Sequence, residues 1–197
     1  VYLIRLNESL ALPDQVFCRT NNKSSTGRVN LQTRLVVDGV SSFDFVPRGY
    51  RGELWLEVIP KSFPVKLGVD ERLNQLRFFT EDTILGEHEY RQAYQDYGLL
   101  RGLNQVTLPA PQFTGKQGIT MTIDLSGQEI VGYKCYPTSG IVLDYARRDY
   151  DPLDFFEPIY RPKDGQFVMK RDEFYIFVTK EAIRVPNEFS VEMMAYD

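Results

Sequence analysis

Histidine and cysteine are scarce in this chain, and the scarcity removes whole classes of chemistry. Its 197 residues hold one histidine, His88, and two cysteines, Cys18 and Cys135. A structural zinc takes four nitrogen or sulfur ligands and a catalytic zinc usually three, so no metal site is assigned. The two cysteines lie far apart in a chain that otherwise reads as cytosolic, which disfavours a disulfide between them. No apolar run nears the roughly 18 residues that a membrane helix needs. No signal peptide is visible, although a chain opening on Val1 leaves its true N-terminus unseen. A surplus of basic residues is missing as well. The net charge of −4 argues against a nucleic-acid polymer, which is bound through clustered Lys and Arg. A single nucleotide in a local basic pocket stays open. The expected setting is cytoplasmic, with neither a membrane nor a polymer as partner.

Aromatic residues are plentiful, with 13 Phe and 12 Tyr, and large flat side chains favour pleated surfaces. Short alternating or apolar runs at 1–6, 31–37, 53–59, 73–79, 119–125, 141–145 and 174–179 are strand length, and prolines fall between or beside them. One stretch differs. Glu87 to Leu100 carries Tyr90, Ala93, Tyr94 and Tyr97 at helical spacing, and Gly98 or Gly102 stands near its end. Asn104 to Lys116, with two prolines and Gly115, reads as a linker. An internal repeat fits that division: Tyr2, Glu8 and Pro13 recur as Tyr175, Glu181 and Pro186 at a constant offset of 173. The fold class expected is all-β, as a tandem repeat with one inserted helix near residues 87–100. Residues 1–112 form a first domain that is N-terminally incomplete. Residues 113–197 begin a second that is C-terminally incomplete.

Three stretches carry candidate chemistry. Lys23-Ser24-Ser25-Thr26-Gly27-Arg28 packs cations, hydroxyls and a glycine into one bend, the donor set that phosphate oxygens need. It lacks the GxxxxGK[ST] spacing of a Walker A loop. On composition alone a solvated polar turn explains it as well. Gly49-Tyr50-Arg51-Gly52 is a turn that leads into a strand. There Leu54, Leu56 and Val58 share one face, and Glu53, Trp55 and Glu57 the other. Glu57, beside the only tryptophan, is a proton shuttle if partly buried and an ordinary surface carboxylate if not. In the third stretch, Gly68 to Phe78, Arg72 and Gln75 could reach a phosphate or a base.

Taken in this order, the KSSTGR bend, the GYRG turn before a strand Glu, and G-x-x-x-R-x-x-Q-L-x-F resemble the dUTPase and dCTP deaminase superfamily. The chain is most similar to its long tandem-domain bacterial dCTP deaminases. Glu8 to Pro13, Asp151-Pro152 through Tyr160, and Asp172 to Tyr175 add to the likeness, and Ile123-Asp124-Leu125 resembles the opening strand of a second copy. The resemblance implies a dUTPase-like distorted jelly-roll or β-barrel, and hydrolysis of dCTP to dUTP and ammonia without a metal held by the protein. Mg²⁺ would arrive with the triphosphate. It implies Glu57 as general base and acid, with Ser24 and Arg28 completing the catalytic group. Ser24 would place the water. Arg28, with Lys23, Ser25, Thr26 and Gly27, would hold phosphate. Trp55 and Leu56 would line the pyrimidine pocket, and Arg72 and Gln75 would bind substrate. A homo-oligomer, either a trimer or its pseudo-trimeric tandem version, is implied too.

The sequence departs from the dUTPase pattern at one telling place. Three residues before the GYRG aromatic, where those enzymes carry their catalytic Asp, stands Pro47, and the nearest carboxylate is Asp44. Two other functions remain open. One is a nucleoside triphosphate pyrophosphatase, or a bifunctional enzyme releasing dUMP and pyrophosphate, with Asp44 as its suspect residue. The other is a nucleotide-binding scaffold without turnover.

Overall fold

A computed structural model describes residues 1–102, 104–110, 118–136 and 140–193. In chain order the elements are β1 (Tyr2–Ala11), β2 (Phe17–Asn22), α1 (Ser24–Arg28), β3 (Leu31–Val36), β4 (Phe45–Val46), β5 (Arg51–Pro60), β6 (Val65–Lys66) and β7 (Asn74–Phe79). There follow α2 (Glu87–Tyr97), β8 (Leu100–Arg101), β9 (Ile130–Cys135), β10 (Leu143–Asp144), β11 (Phe156–Tyr160), β12 (Tyr175–Phe177) and β13 (Ala182–Ile183). The all-β expectation holds, and among the described residues the short α1 and a 3-10 turn at Pro152–Asp154 add to the one helix the sequence suggested. The chain divides into two compact units. The first is Val1–Asp82 with Tyr133–Ile159 and Val168–Ile176, and the second is Thr83–Gly132 with Tyr160–Phe167 and Phe177–Asp197.

The first unit is built on an antiparallel sheet in the order β1, β5, β3 and a second in the order β4, β2, β7. Period-two alternation sends Leu54, Leu56 and Val58 of β5 inward, to meet Leu31 and Leu35 of β3. Leu12, Cys18, Val46, Leu73 and Tyr145 complete that cluster. Burying such a leucine contributes about 2 kcal/mol. Fixing this inner face fixes register: Leu3 and Arg34 stand on either side of Glu57, and Arg5 and Val36 on either side of Trp55. The run at 141–145 forms only the two-residue β10, parallel to β6, while Tyr145 beyond it is buried. A smaller cluster joins Phe63, Cys135, Leu143 and Phe155. Both cysteines are free and buried, and burial pushes each thiol up from its ordinary range.

The second unit gathers round α2, whose Tyr90, Ala93 and Tyr94 face Leu99 and Leu100. Glu87 and Glu89 suit the positive N-terminal end, and Glu89 Oε2 accepts from Gly86 N at 2.8 Å. The helix stops three residues short of the expected Leu100. Gly98 takes the left-handed conformation (φ 58°), its N–H reaching Tyr94 O at 2.8 Å, and a Cβ there would sit 2.8 Å from Thr107 Cγ2. Leu100 and Arg101 then pair with Ile183 and Ala182. Of the expected linker, 104–110 folds back, with Thr107 bridging Arg101 and Leu108 N donating to Leu100 O. Its remainder, Pro111 to Lys116, lies outside the described residues.

The expected strand at 119–125 is reduced to one bridge, Ile123 to Thr179. Asp124 overrides the alternation by turning the backbone. Its Oδ1 accepts from Ser126 N at 2.9 Å and Gly127 N at 2.8 Å, which makes an Asx turn. Those two N–H groups hold the Asp124 carboxyl below the usual carboxylate range. Lys66 does the same for Asp144 and Arg147 for Asp149. Burial pushes Glu181 up, but hydrogen bonds from Thr122 outweigh it and the net direction is down. A depressed carboxyl stabilises the fold above its unfolded value, near pH 4, and that contribution disappears as pH falls through the lower folded value. The thermal midpoint is therefore expected to drop steeply below about pH 4. Asp124→Asn should flatten the slope, as followed by circular dichroism. An unchanged slope in that variant would refute the assignment.

Candidate functional site

Serine, serine, threonine and glycine are poor helix formers, and α1 lasts only five residues. It is held both by its own first turn and from outside. Thr26 N and Gly27 N donate to Lys23 O at 2.9 and 3.0 Å, and Lys23 N donates to Leu73 O at 3.2 Å. Thr26 is fully buried, its hydroxyl 2.8 Å from Leu73 O and 2.8 Å from Tyr145 Oη, and Ser25 Oγ is 3.1 Å from the same Tyr145 oxygen. Each hydroxyl has one hydrogen to give. Thr26 gives its hydrogen to Leu73 O, so Tyr145 gives its own to Thr26, and Ser25 gives to Tyr145. This departs from the expectation that all three hydroxyls line a phosphate cradle. Thr26 anchors the bend, Ser25 is tied to Tyr145, and Ser24 and Arg28 are exposed.

α1 lies against β3, and β3 against β5. Glu57 and Trp55 stand half-buried on the outer face of β5, away from the core. Opposite Glu57 in register is Arg34, whose guanidinium lies 4.9 Å from the Phe43 ring centroid. Directly opposed residues have Cβ atoms about 5 Å apart, so the register sets Arg34 directly across from Glu57. Leu56, expected in the pyrimidine pocket, points the other way and is 3% exposed in the core.

Where α1 meets the outer face of β3 the surface sinks into a hollow of about 310 Å³, walled by Asn22, Gly27, Asn30, Leu31, Gln32, Arg34 and Lys61. Two cations and three amides line it, with no carboxylate in the wall. Such a hollow attracts anions. It takes in one predicted stretch through Gly27 of the serine-rich bend, and Arg34 in its wall is the register partner of Glu57, which does not itself line it. Sequence reasoning missed Arg34, Gln32 and Lys61. Alternation along 31–37 put Gln32 and Arg34 on one face, but the pairing that sets them against Glu57 and Ile59 is non-local.

Of the remaining candidates, Gln75 and Asp44 are tied into the structure by their side chains. Gln75 Nε2 donates to Asn21 Oδ1 at 2.7 Å, across the β2–β7 register that pairs those residues. Arg72 is exposed just before buried Leu73, and Lys23 is half-buried at the start of the bend. Asp44 has a positive φ of 61°, and its Oδ1 accepts from Thr20 Oγ1 at 2.8 Å and Leu35 N at 2.8 Å. Its carboxylate stitches three segments of chain together. Among the described residues no group of three or more His, Cys, Asp and Glu could hold a metal, and no helix is long and apolar enough to cross a membrane.

Comparison with known proteins bears on nearly the whole length. The model for the 2′-deoxycytidine 5′-triphosphate deaminase (DCD) N-terminal domain matches residues 1–82, and that for the C-terminal domain matches residues 88–197. A relative in Pseudarthrobacter chlorophenolicus, named a dUMP-forming dCTP deaminase, is 32% identical over 93 residues, covering 45% of this chain and 46% of its own length. One of the same name in Methanococcus maripaludis is 36% identical over 72 residues, covering 36% of this chain and 32% of its own length. The crystal structure of 2′-deoxycytidine 5′-triphosphate deaminase from Agrobacterium tumefaciens is similar with a TM-score of 0.83 and 36% identity, over 94% of this chain and 54% of that one. The chain thus spans about half the length, or less, of the relatives it matches. With both halves of the family pattern present in order, it belongs to the 2′-deoxycytidine 5′-triphosphate deaminase family.

Proposed function

We propose that the protein containing this chain hydrolyses the 4-amino group of dCTP, so that dCTP and water give dUTP and ammonia. The observation that carries the reading is the half-buried Glu57, set opposite Arg34 beside an anion-attracting hollow that the serine-rich bend also borders. Glu57 takes a proton from the water that attacks C4, then returns it to N3 or to the departing amine. Ser24 orients that water. Arg28 and Lys23 bind the phosphates, with Ser25, Thr26 and Gly27 giving the bend its shape. Trp55 offers an aromatic flank on the same face as Glu57. Leu56 contributes through its backbone, and Arg72 and Gln75 close the far side of the bend. Mg²⁺ travels with the triphosphate as part of the substrate. A cytoplasmic homo-oligomer, a trimer or its pseudo-trimeric tandem form, belongs to this reading.

The tandem division at 1–112 and 113–197 is part of the same proposal. Matching turns support it: Val16 N donates to Pro13 O at 3.0 Å and Phe189 N to Pro186 O at 3.1 Å, again 173 residues apart.

The test incubates full-length protein with dCTP and separates the products by chromatography. Formation of dUTP or dUMP with an equal amount of ammonia is expected. Intact dCTP at high enzyme concentration would overturn the proposal. The names of the two curated relatives favour a second reading, in which the same enzyme carries on to dUMP. Pyrophosphate released in step with ammonia would establish that reading, and dUTP accumulating without it would exclude it.

A further inference from the structure

The second unit has a basic hollow of its own, which the proposed deaminase site does not use. It holds about 410 Å³, more than the hollow beside β3, and Arg101, Gln105, Ala182, Ile183 and Arg184 wall it. The strand pairing explains why two arginines meet there. Arg101 is opposite Ala182 in the β8–β13 register, and Arg184 lies two residues beyond Ala182 on the same face, its N–H continuing the ladder to Leu99 O at 2.8 Å. The two arginines are therefore diagonal neighbours, with Cβ atoms roughly 7–8 Å apart. No carboxylate stands in the wall, and neither forms an ion pair among the described residues.

Two further observations point to a ligand. Arg101 Nε is buried without a hydrogen-bond partner among the described residues, a state that folded proteins avoid. Arg184 is steadied at one corner, Nη1 donating to Tyr97 O at 3.0 Å, which preorganises its planar fork. Gln105, held at φ 64° with its N–H on Gly102 O, adds an amide to the rim. Two like charges on one face of the paired strands, one with an unmet donor, make a receptor for an extended anion with several acceptor oxygens. A guanidinium fork matches phosphate oxygens two at a time. A diphosphate can engage both forks, whereas a single carboxylate satisfies one.

We propose that this hollow binds a diphosphate group, either as inorganic pyrophosphate or as the phosphate tail of a nucleotide, through Arg101 and Arg184. The site stands apart from the deaminase reading and does not depend on it.

The test titrates the chain with inorganic pyrophosphate by calorimetry and follows the amide signals of Gln105 and Ile183 by NMR. Saturable shifts of those signals are expected. Arg184→Gln, at an exposed position, should weaken that binding at least about tenfold, the scale of one lost charge-assisted hydrogen bond. Arg101→Gln should do the same, and Lys61→Gln, in the first unit, should leave these signals' response unchanged. A deoxynucleoside triphosphate binding no tighter than pyrophosphate identifies the tail alone as ligand; one binding much tighter identifies a nucleotide. Absence of shifts at millimolar pyrophosphate, titrations of both arginine variants that overlay the parent's, or citrate binding as tightly as pyrophosphate would overturn the proposal.

Discussion

Glu57→Gln in the full-length protein is expected to lower kcat for dCTP about 10²- to 10⁴-fold, the range that a positioned acid-base group supplies, with little change in KM. The amide keeps the size of the carboxylate but cannot accept a proton from water. Because Glu57 is on the outer face of β5, the inward row Leu54, Leu56 and Val58 keeps its packing, and the thermal midpoint should stay close to that of the parent. A fall in activity with unchanged melting separates chemistry from folding. Full activity in the variant would remove Glu57 from the mechanism.

The other large effect is structural and concerns Asp44. Asp44→Ala strips acceptors from Thr20 Oγ1 and Leu35 N and leaves a β-carbon residue at a positive φ. Two unmet donors and the left-handed backbone together should lower stability by about 2–4 kcal/mol. Asp44→Asn retains an oxygen in the same place and a residue type that tolerates this conformation, so its loss should stay within about 1 kcal/mol. Urea unfolding measures both. Were Asp44 the group that activates water for pyrophosphate release, the Asn variant would keep its fold and lose dUMP formation. The placement of its carboxylate predicts that any such activity survives.

What the sequence made legible follows from range. The alternation in 31–37 and 53–59 became β3 and β5, because an inward row of Leu and Val leaves one way to lay the strand on its core. Tyr90, Ala93 and Tyr94 at helical spacing became the buried face of α2, and a glycine ended it. The likeness to the deaminase family likewise followed from motifs in the right order. Three things were hidden. The helical turn at Ser24–Arg28 is anchored by Leu73 and by Tyr145, some 120 residues onward, and nothing in its own composition announces it. The alternation at 119–125 was real, but Asp124 captured two backbone N–H groups and broke the strand. The neighbour of Glu57 is set by register between strands, so Arg34 was out of reach of any local pattern.

The long reach of Tyr145 has a consequence for synthesis. A ribosome that has released the chain as far as Asp82 has already delivered β1, β2 and β3 and the whole serine-rich bend. The phenol that meets Ser25 and Thr26 is still more than sixty codons away. Until it emerges, the nascent chain carries its serine-rich turn without the phenol that Ser25 and Thr26 meet in the folded unit.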